Sequence, residues 1–251
     1  MDKDIHQIQK RFMDLANKSY GQGCFTFTDF LGLAEQDAFH RMERELVFAG
    51  FCLWGGFEGA DRVIFRFGNP EEFGYDVEFP ISCIHIKPLS AKFADKLTHR
   101  DFLGALMNLG IERSVLGDIK VGDKEAYLFC KDEMVPFICE NLVQVKHTNV
   151  VCKEAEYRPL PEEEPKVVTL QVSSLRADAV IAKVINQSRS EVLAQFTQGK
   201  VYLNGRLLES NAKALKETDV VNVRGEGKFI VQSLEGETRK GKLCIKVAVY
   251  A

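Results

Sequence analysis

The sequence predicts an α+β protein, and three observations carry that expectation. Between residues 80 and 155, short β-rich runs alternate with helical patterns in the order β-α-β-β-α-β. Helical patterns dominate the stretch before it, and short strands separated by turn residues dominate the stretch after it. A chain of 251 residues, 45% apolar and 27% charged, suits two or three small folded domains rather than a disordered or fibrous protein.

Residues 1–75 are expected to form an N-terminal α/β domain. Helices are expected from Ile5 to Ser19 and from Ala34 to Ala49, the second with Phe39, Met42 and Leu46 on one side and Arg41 and Glu45 on the other. Val63 to Phe67 follows as a strand. Gly55-Gly56-Phe57-Glu58-Gly59 invites a phosphate-loop reading, but it lacks the spacing and the Lys-Ser/Thr of a P-loop, so a tight turn is expected.

Residues 76–157 carry the β-α-β-β-α-β pattern, which is the split order of ferredoxin-like folds and of the RNA recognition motif. Ile81 to Lys87 is the first strand. Thr98 caps a helix whose Phe102, Leu103, Leu106 and Leu109 share a face, and Gly110 stops it. Asp118–Val121 and Ala126–Cys130 pair through Gly122-Asp123, Asp132 precedes a helix, and Val145 to Lys153 closes as a strand. Phe129 is the only aromatic expected at a base-stacking position, so the aromatic signature of the RNA recognition motif is absent. Residues 158–166, with Pro159, Pro161, Pro165 and the run Glu162 to Glu164, read as an extended linker.

Residues 167–251 form the last domain. Ser174 is expected to cap a helix from Leu175 to Ile185. Ser188-Arg189-Ser190-Glu191 fits a capping box for a second helix that ends at Gly199. Lys200 to Leu203 and Arg206 to Leu208 flank Asn204-Gly205, the preferred pair for a two-residue hairpin, and strands are expected at Val220–Arg224, Phe229–Ser233 and Leu243–Val249.

Charge separates these parts. Residues 1–165 hold 19 Lys/Arg against 28 Asp/Glu, a balance of −9, and residues 166–251 hold 14 against 8, a balance of +6. A basic module on an acidic body points to a polyanion, most naturally nucleic acid, as the partner of the tail. No stretch approaches 18 apolar residues, so no membrane contact is expected, and the N-terminus lacks a signal-peptide core. The seven cysteines, at 24, 52, 83, 130, 139, 152 and 244, form no Cys-x-x-Cys pair. They read as buried thiols of a cytoplasmic protein rather than as disulfides or zinc ligands.

The motifs Ser174-Leu175-Arg176-Ala177-Asp178, Ser188-Arg189-Ser190, Gln198-Gly199-Lys200-Val201, Asn204-Gly205 and Asp219-Val220-Val221 occur in the order and spacing of the S-four (αL) RNA-binding domain. The resemblance covers about residues 173 to 235. It implies RNA contacts at Arg176, Arg189, Ser190, Lys200, Asn204 and Arg206. Arg189 in the first turn of a helix can share an anion with free backbone N–H groups. Against this, Arg176 can pair with Asp178 or Glu191, and Lys200 and Arg206 can be merely solvated.

Upstream, Leu97-Thr98-His99-Arg100-Asp101-Phe102-Leu103-Gly104-Ala105-Leu106, Leu109-Gly110-Ile111-Glu112-Arg113 and Leu116-Gly117-Asp118-Ile119 are similar to the central signature of the bacterial YlmH family. Gly55-Gly56-Phe57 with Ala60-Asp61-Arg62 resembles its N-terminal signature, with Asp61 where glutamate is usual. The resemblance then spans nearly the whole chain. It implies an N-terminal α/β domain, a middle domain like the RNA recognition motif and a C-terminal S-four domain. It also implies an RNA-binding protein of the ribosome, linked to stalled large subunits carrying peptidyl-tRNA. Structured rRNA or tRNA and the large ribosomal subunit are the implied partners. Arg100 and Arg113 are second-tier contacts, with salt bridges to Asp101 or Glu112 as the alternative.

No catalytic role is expected. Arg176-Ala177-Asp178, the match nearest to a pseudouridine synthase Arg-x-Asp, belongs to the RNA-binding helix. The motifs of tyrosyl-tRNA synthetases and methyltransferases are missing, and the five histidines show no metal spacing. His99 beside Asp101 is better explained by a helix N-terminus than by acid–base work. No cofactor and no metal are expected. An RNA-modifying enzyme with an unrecognised site, or a protein-interaction adaptor, are the competing classes.

Overall fold

A computed structural model describes residues 2–90, 95–160, 165–238 and 241–250. Helix and sheet are both extensive, as the α+β reading requires, and the chain divides into two compact units, Met1–Pro161 and Glu162–Ala251.

The first unit opens with α1 (Asp2–Gln22), β1 (Thr26–Phe27), α2 (Leu33–Leu46), β2 (Phe51–Trp54), β3 (Ile64–Phe67) and α3 (Pro70–Phe73). The expected stripe of α2 is buried, with Phe39, Met42 and Leu46 packed against Phe12 of α1 and Phe65 and Phe67 of β3. The rings of Phe39 and Phe65 lie 4.0 Å apart between centroids. The expected helix end at Ala49 is a 3₁₀ turn over Val47–Ala49, after which Gly50 at φ +63° swings the chain into β2. Neither β1 nor β2 is expected from the sequence. Each exists because β3 pairs with both, giving the order β1-β3-β2.

The second sheet of this unit comes from β4 (Ile81–Pro88), α4 (His99–Asn108), β5 (Leu116–Val121), β6 (Ala126–Lys131), α5 (Val135–Asn141), β7 (Gln144–Val145) and β8 (Thr148–Glu154). Its order is β5-β6-β4-β8-β7. The closing strand expected at Val145–Lys153 is a hairpin instead. Lys146, at φ +58°, turns the chain so that Val145 pairs with Thr148.

Side-chain alternation gives this sheet two buried faces. Ile84, Ile86, Leu128 and Cys130 pack with Phe102, Leu106 and Ile138 from α4 and α5. Cys83, Tyr127 and Phe129 pack with Phe30 and Ile64 on the other side. Phe129 is thus not the only ring on the outward face of β6. Tyr127 lies two residues before it and stacks on His85, with centroids 4.3 Å apart and planes inclined by 4°. Tyr157 closes edge-on over Tyr127 and Phe129, and Phe57 lies against Phe129. These rings therefore serve as core, filled by the chain's own flanking segments.

The second unit holds β9 (Lys166–Val172), α6 (Ala177–Val184), α7 (Arg189–Thr197), β10 (Val201–Leu203), β11 (Arg206–Leu207), β12 (Val220–Val223), β13 (Gly227–Glu237) and β14 (Leu243–Tyr250). The sheet is antiparallel, in the order β11-β10-β12-β13-β14-β9. Residues 161–164 of the expected linker lie outside the described residues, and Lys166 opens β9, a strand the sequence reading lacks. It forms by pairing with β14 at the far end of the chain, from Lys166↔Val249 to Val172↔Leu243.

Ser174 does not cap the first helix of this unit. Arg176 is the cap, because the leading N–H groups are satisfied from a distant segment: Ala177 donates to the Lys213 carbonyl and Asp178 to that of Asn211. The second helix starts as expected. Ser188 accepts from the Glu191 N–H, and the Glu191 carboxylate accepts from Ser188 N–H at 2.7 Å. Asn204 and Gly205, at φ +52° and +78°, make the hairpin turn.

Candidate nucleic-acid interface

The apolar residues of α6 face the sheet, and Asp178 is the one acid in that helix, only 4% exposed. A buried carboxylate is costly without partners, and Asp178 has several. Arg176 donates from Nε to Oδ1 and from Nη2 to Oδ2, both at 3.1 Å. Asn211 Nδ2 donates to Oδ2 at 3.3 Å, and Arg189 Nη2 stands 3.6 Å from Oδ1. Arg176 caps α6 and Arg189 is the first residue of α7, so one carboxylate ties the starts of two helices. Their side chains nevertheless stay 43% and 53% exposed. Burial pushes the Asp178 pKa up, but the Arg176 hydrogen bond, the charges of Arg189 and Arg176 and the Ala179 N–H together outweigh it and hold it below the usual value. The hydrogen bond and charge of Asp178 in turn raise the pKa of Arg176.

The remaining expected contacts fall into two groups. Ser190 Oγ lies 2.9 Å from Ser188 Oγ, exposed beside Arg189. Lys200, Asn204 and Arg206 lie past the other end of α7, a nine-residue helix about 13 Å long. The Lys200 carbonyl accepts from Arg224 N–H, which sets a second cation at that end. Arg206 is exposed on β11. The Asn204 amide is engaged internally: Nδ2 donates to Asp219 at 3.0 Å, and Oδ1 accepts from Val220 N–H at 2.8 Å. From the sequence alone Asp178 stands only as a rival claim on Arg176, not as part of the site. Its mark in the sequence is a lone acid in the mostly apolar run Ala177–Val184.

In the first unit the two family-like signatures meet each other. Arg62 donates to the carbonyls of Leu116, Phe30 and Arg113 at 2.8, 2.9 and 3.0 Å. Asp61 N–H donates to Asp118 at 2.7 Å. Arg113 is turned inward, donating to the Gly117 carbonyl at 2.9 Å. Burial and the neighbouring Arg62 charge lower its pKa to about 10, against the pull of Asp118. Arg100 behaves differently: it is exposed on α4, beside a groove also lined by Asn108, Asn141, Gln144 and Lys146. Asp101 is occupied as a cap, accepting from the N–H and hydroxyl of Thr98 at 2.8 Å each. Burial raises the thiols of Cys83, Cys130 and Cys152 to about 12, so they are protonated at neutral pH. Among the described residues no group of three His, Cys, Asp or Glu side chains could hold a metal ion, and no helix is long and apolar enough to cross a membrane.

Comparison with known proteins finds the following similarities. The family described as "Putative RNA-binding domain in YlmH" matches residues 75–159, the span of the β5-β6-β4-β8-β7 sheet. The chain is 28% identical over 224 residues to the ribosome-associated protein quality control protein P2 of Bacillus subtilis (strain 168), covering 86% of this chain and 83% of that protein. Among solved structures it is similar to the cell division protein ylmH from Streptococcus pneumoniae, with a TM-score of 0.49 and 20% identity over 62% of this chain and 92% of that one. The chain is thus similar to YlmH proteins, over residues 75–159 to the family's RNA-binding domain and, at 28% identity, over most of its length to the Bacillus subtilis protein.

Proposed function

We propose that this protein is a non-enzymatic, cytoplasmic RNA-binding protein that associates with the ribosome and acts on stalled large subunits carrying peptidyl-tRNA. In this reading residues 1–75 are an α/β domain, residues 76–157 a ferredoxin-like domain, residues 158–166 a linker and residues 167–251 an S-four domain. The strand order β5-β6-β4-β8, with two helices on one face, favours the ferredoxin-like assignment. The observation that carries RNA binding is the exposed pair Arg176 and Arg189, joined at one carboxylate in the segment whose balance is +6. Ribosome association is supported by the near full-length likeness to a protein named for it. The acidic first unit sets position and meets protein or a second RNA element, for which Arg100 is an exposed candidate cation.

Duplex RNA hides its base edges in a deep groove, so recognition rests on shape and phosphate contacts. Crosslinking and sequencing of the bound RNA, with sucrose-gradient fractionation, tests this. The protein is expected to co-sediment with large subunits and to crosslink to rRNA or tRNA. Arg189→Glu with Lys200→Glu is expected to release it to the top of the gradient while the fold stays intact. Turnover of an RNA substrate, or association that survives RNase, would replace this reading with a modifying enzyme or an adaptor.

A further inference from the structure

Two cations and one anion meet at the starts of α6 and α7, an arrangement with two opposite consequences for an anionic ligand. In one, Asp178 neutralises the patch and weakens its attraction for phosphate. In the other, it fixes the two guanidinium groups where one phosphate can take both. The geometry favours the second. Arg176 binds Asp178 through Nε and Nη2, so one edge of its planar fork is used. Nη1 and the second Nη2 hydrogen stay on the outer edges. Arg189 approaches the same Oδ1 from the start of α7, so both guanidinium groups stand within reach of a single phosphate. Asp178 is itself fixed: it lies 4% exposed, accepts from Asn211 Nδ2, and its N–H donates to the Asn211 carbonyl.

Two adjacent guanidinium groups repel each other and would swing apart as freely rotating side chains. A shared buried carboxylate cancels that repulsion and removes the rotamer freedom that binding would otherwise cost. The pair keeps one net positive charge, and the arginines, not the acid, remain exposed. Glu191, the other nearby acid, is not part of this cluster, because its carboxylate is held by Ser188. Ser190, exposed next to Arg189 in the chain, adds a hydroxyl at the same helix start.

Resting on the RNA-binding reading above, we infer that Asp178 is the positioning residue of a two-arginine phosphodiester site formed by Arg176 and Arg189. The two views differ in sign. Asp178→Asn keeps the shape and removes a negative charge from a basic patch. If Asp178 only neutralises, RNA binding strengthens. If it positions, binding weakens despite the gain in positive charge.

The test is filter binding of the full-length chain to deproteinised ribosomal RNA and to bulk tRNA at near-physiological salt, with thermal melts to confirm folding. Asp178→Asn is expected to bind about tenfold more weakly, as loss of an oriented charge-assisted contact requires. Unchanged or tighter binding by the folded variant overturns the inference. Should Asp178→Asn not fold, Arg176→Lys with Arg189→Lys asks the same question, since it keeps both charges and loses the planar fork. Weaker binding supports positioning, and unchanged binding refutes it. Arg176→Ala with Arg189→Ala separates the two levels. If that variant binds as wild type does, or if the wild type binds neither RNA, the RNA-binding reading itself fails at these residues.

Discussion

Arg62 shows at the scale of one residue why a family-like motif need not be a reactive site. Its guanidinium joins three carbonyls from two segments, Phe30 in one and Arg113 and Leu116 in the other, which only a planar donor fork can reach together. Stranding a buried acceptor costs about 1–3 kcal/mol, and relaxation recovers part of the sum. Arg62→Ala is therefore expected to lower the unfolding free energy of the chain by about 2–4 kcal/mol, read as a shift in the urea midpoint. Arg62→Lys should recover less than half of the loss, because one ammonium cannot span the three acceptors. An unchanged midpoint would show the clamp to be incidental. The sequence displayed Arg62, Arg113 and Asp118 as parts of separate signatures. It could not show that they meet, because the hydrogen bonds joining them close loops of 51 to 57 residues. Asp178 is hidden for a different reason: the sequence offers its pairing with Arg176 as one alternative, but not that Arg189, from the next helix, meets the same oxygen.

At the scale of elements, the glycines of the first signature act through packing. Gly56 sits at φ +98°, and a Cβ there would come within 2.3 Å of the Phe129 ring. Phe129 itself is held by Phe57 and Tyr157. Gly56→Ala is expected to cost about 2–3 kcal/mol through strain and overpacking. It should shift the thermal midpoint down while leaving the far-ultraviolet spectrum of the folded state unchanged. A midpoint equal to wild type would mean that the ring yields freely. The turn reading of this segment was legible because a P-loop requires residues that are absent, whereas its tight contact with β6 was not. The same division runs through the other elements. The capping box of α7 and the turn at Asn204-Gly205 are short-range devices and appear in the sequence as they do in the fold. The cap of α6 and the strands β1, β2 and β9 depend on distant partners. Ser174 lost its expected role once Asn211 and Lys213 took the helix N–H groups, and β9 exists only against β14.

For the whole molecule the deciding quantity is where charge lies, not its total. The net charge of −3 predicts little attraction for RNA, yet residues 166–251 carry +6 and residues 1–165 carry −9. At physiological salt the screening length is about 8 Å, so a phosphate docked at Arg189 responds chiefly to the charges immediately beside it. Binding should then behave as a local exchange of phosphate for released counterions. With about four to six phosphates neutralised, the association constant should fall roughly as the third to fifth power of salt concentration. Arg189→Glu with Lys200→Glu removes a cation from each end of α7 and should abolish most of that dependence. Titrations of RNA against the full chain between about 50 and 200 mM salt measure both slopes. A wild-type slope near zero would move recognition to neutral contacts. An unchanged slope in the double variant would move the phosphates away from α7, towards cations such as Arg100 that lie on the acidic unit.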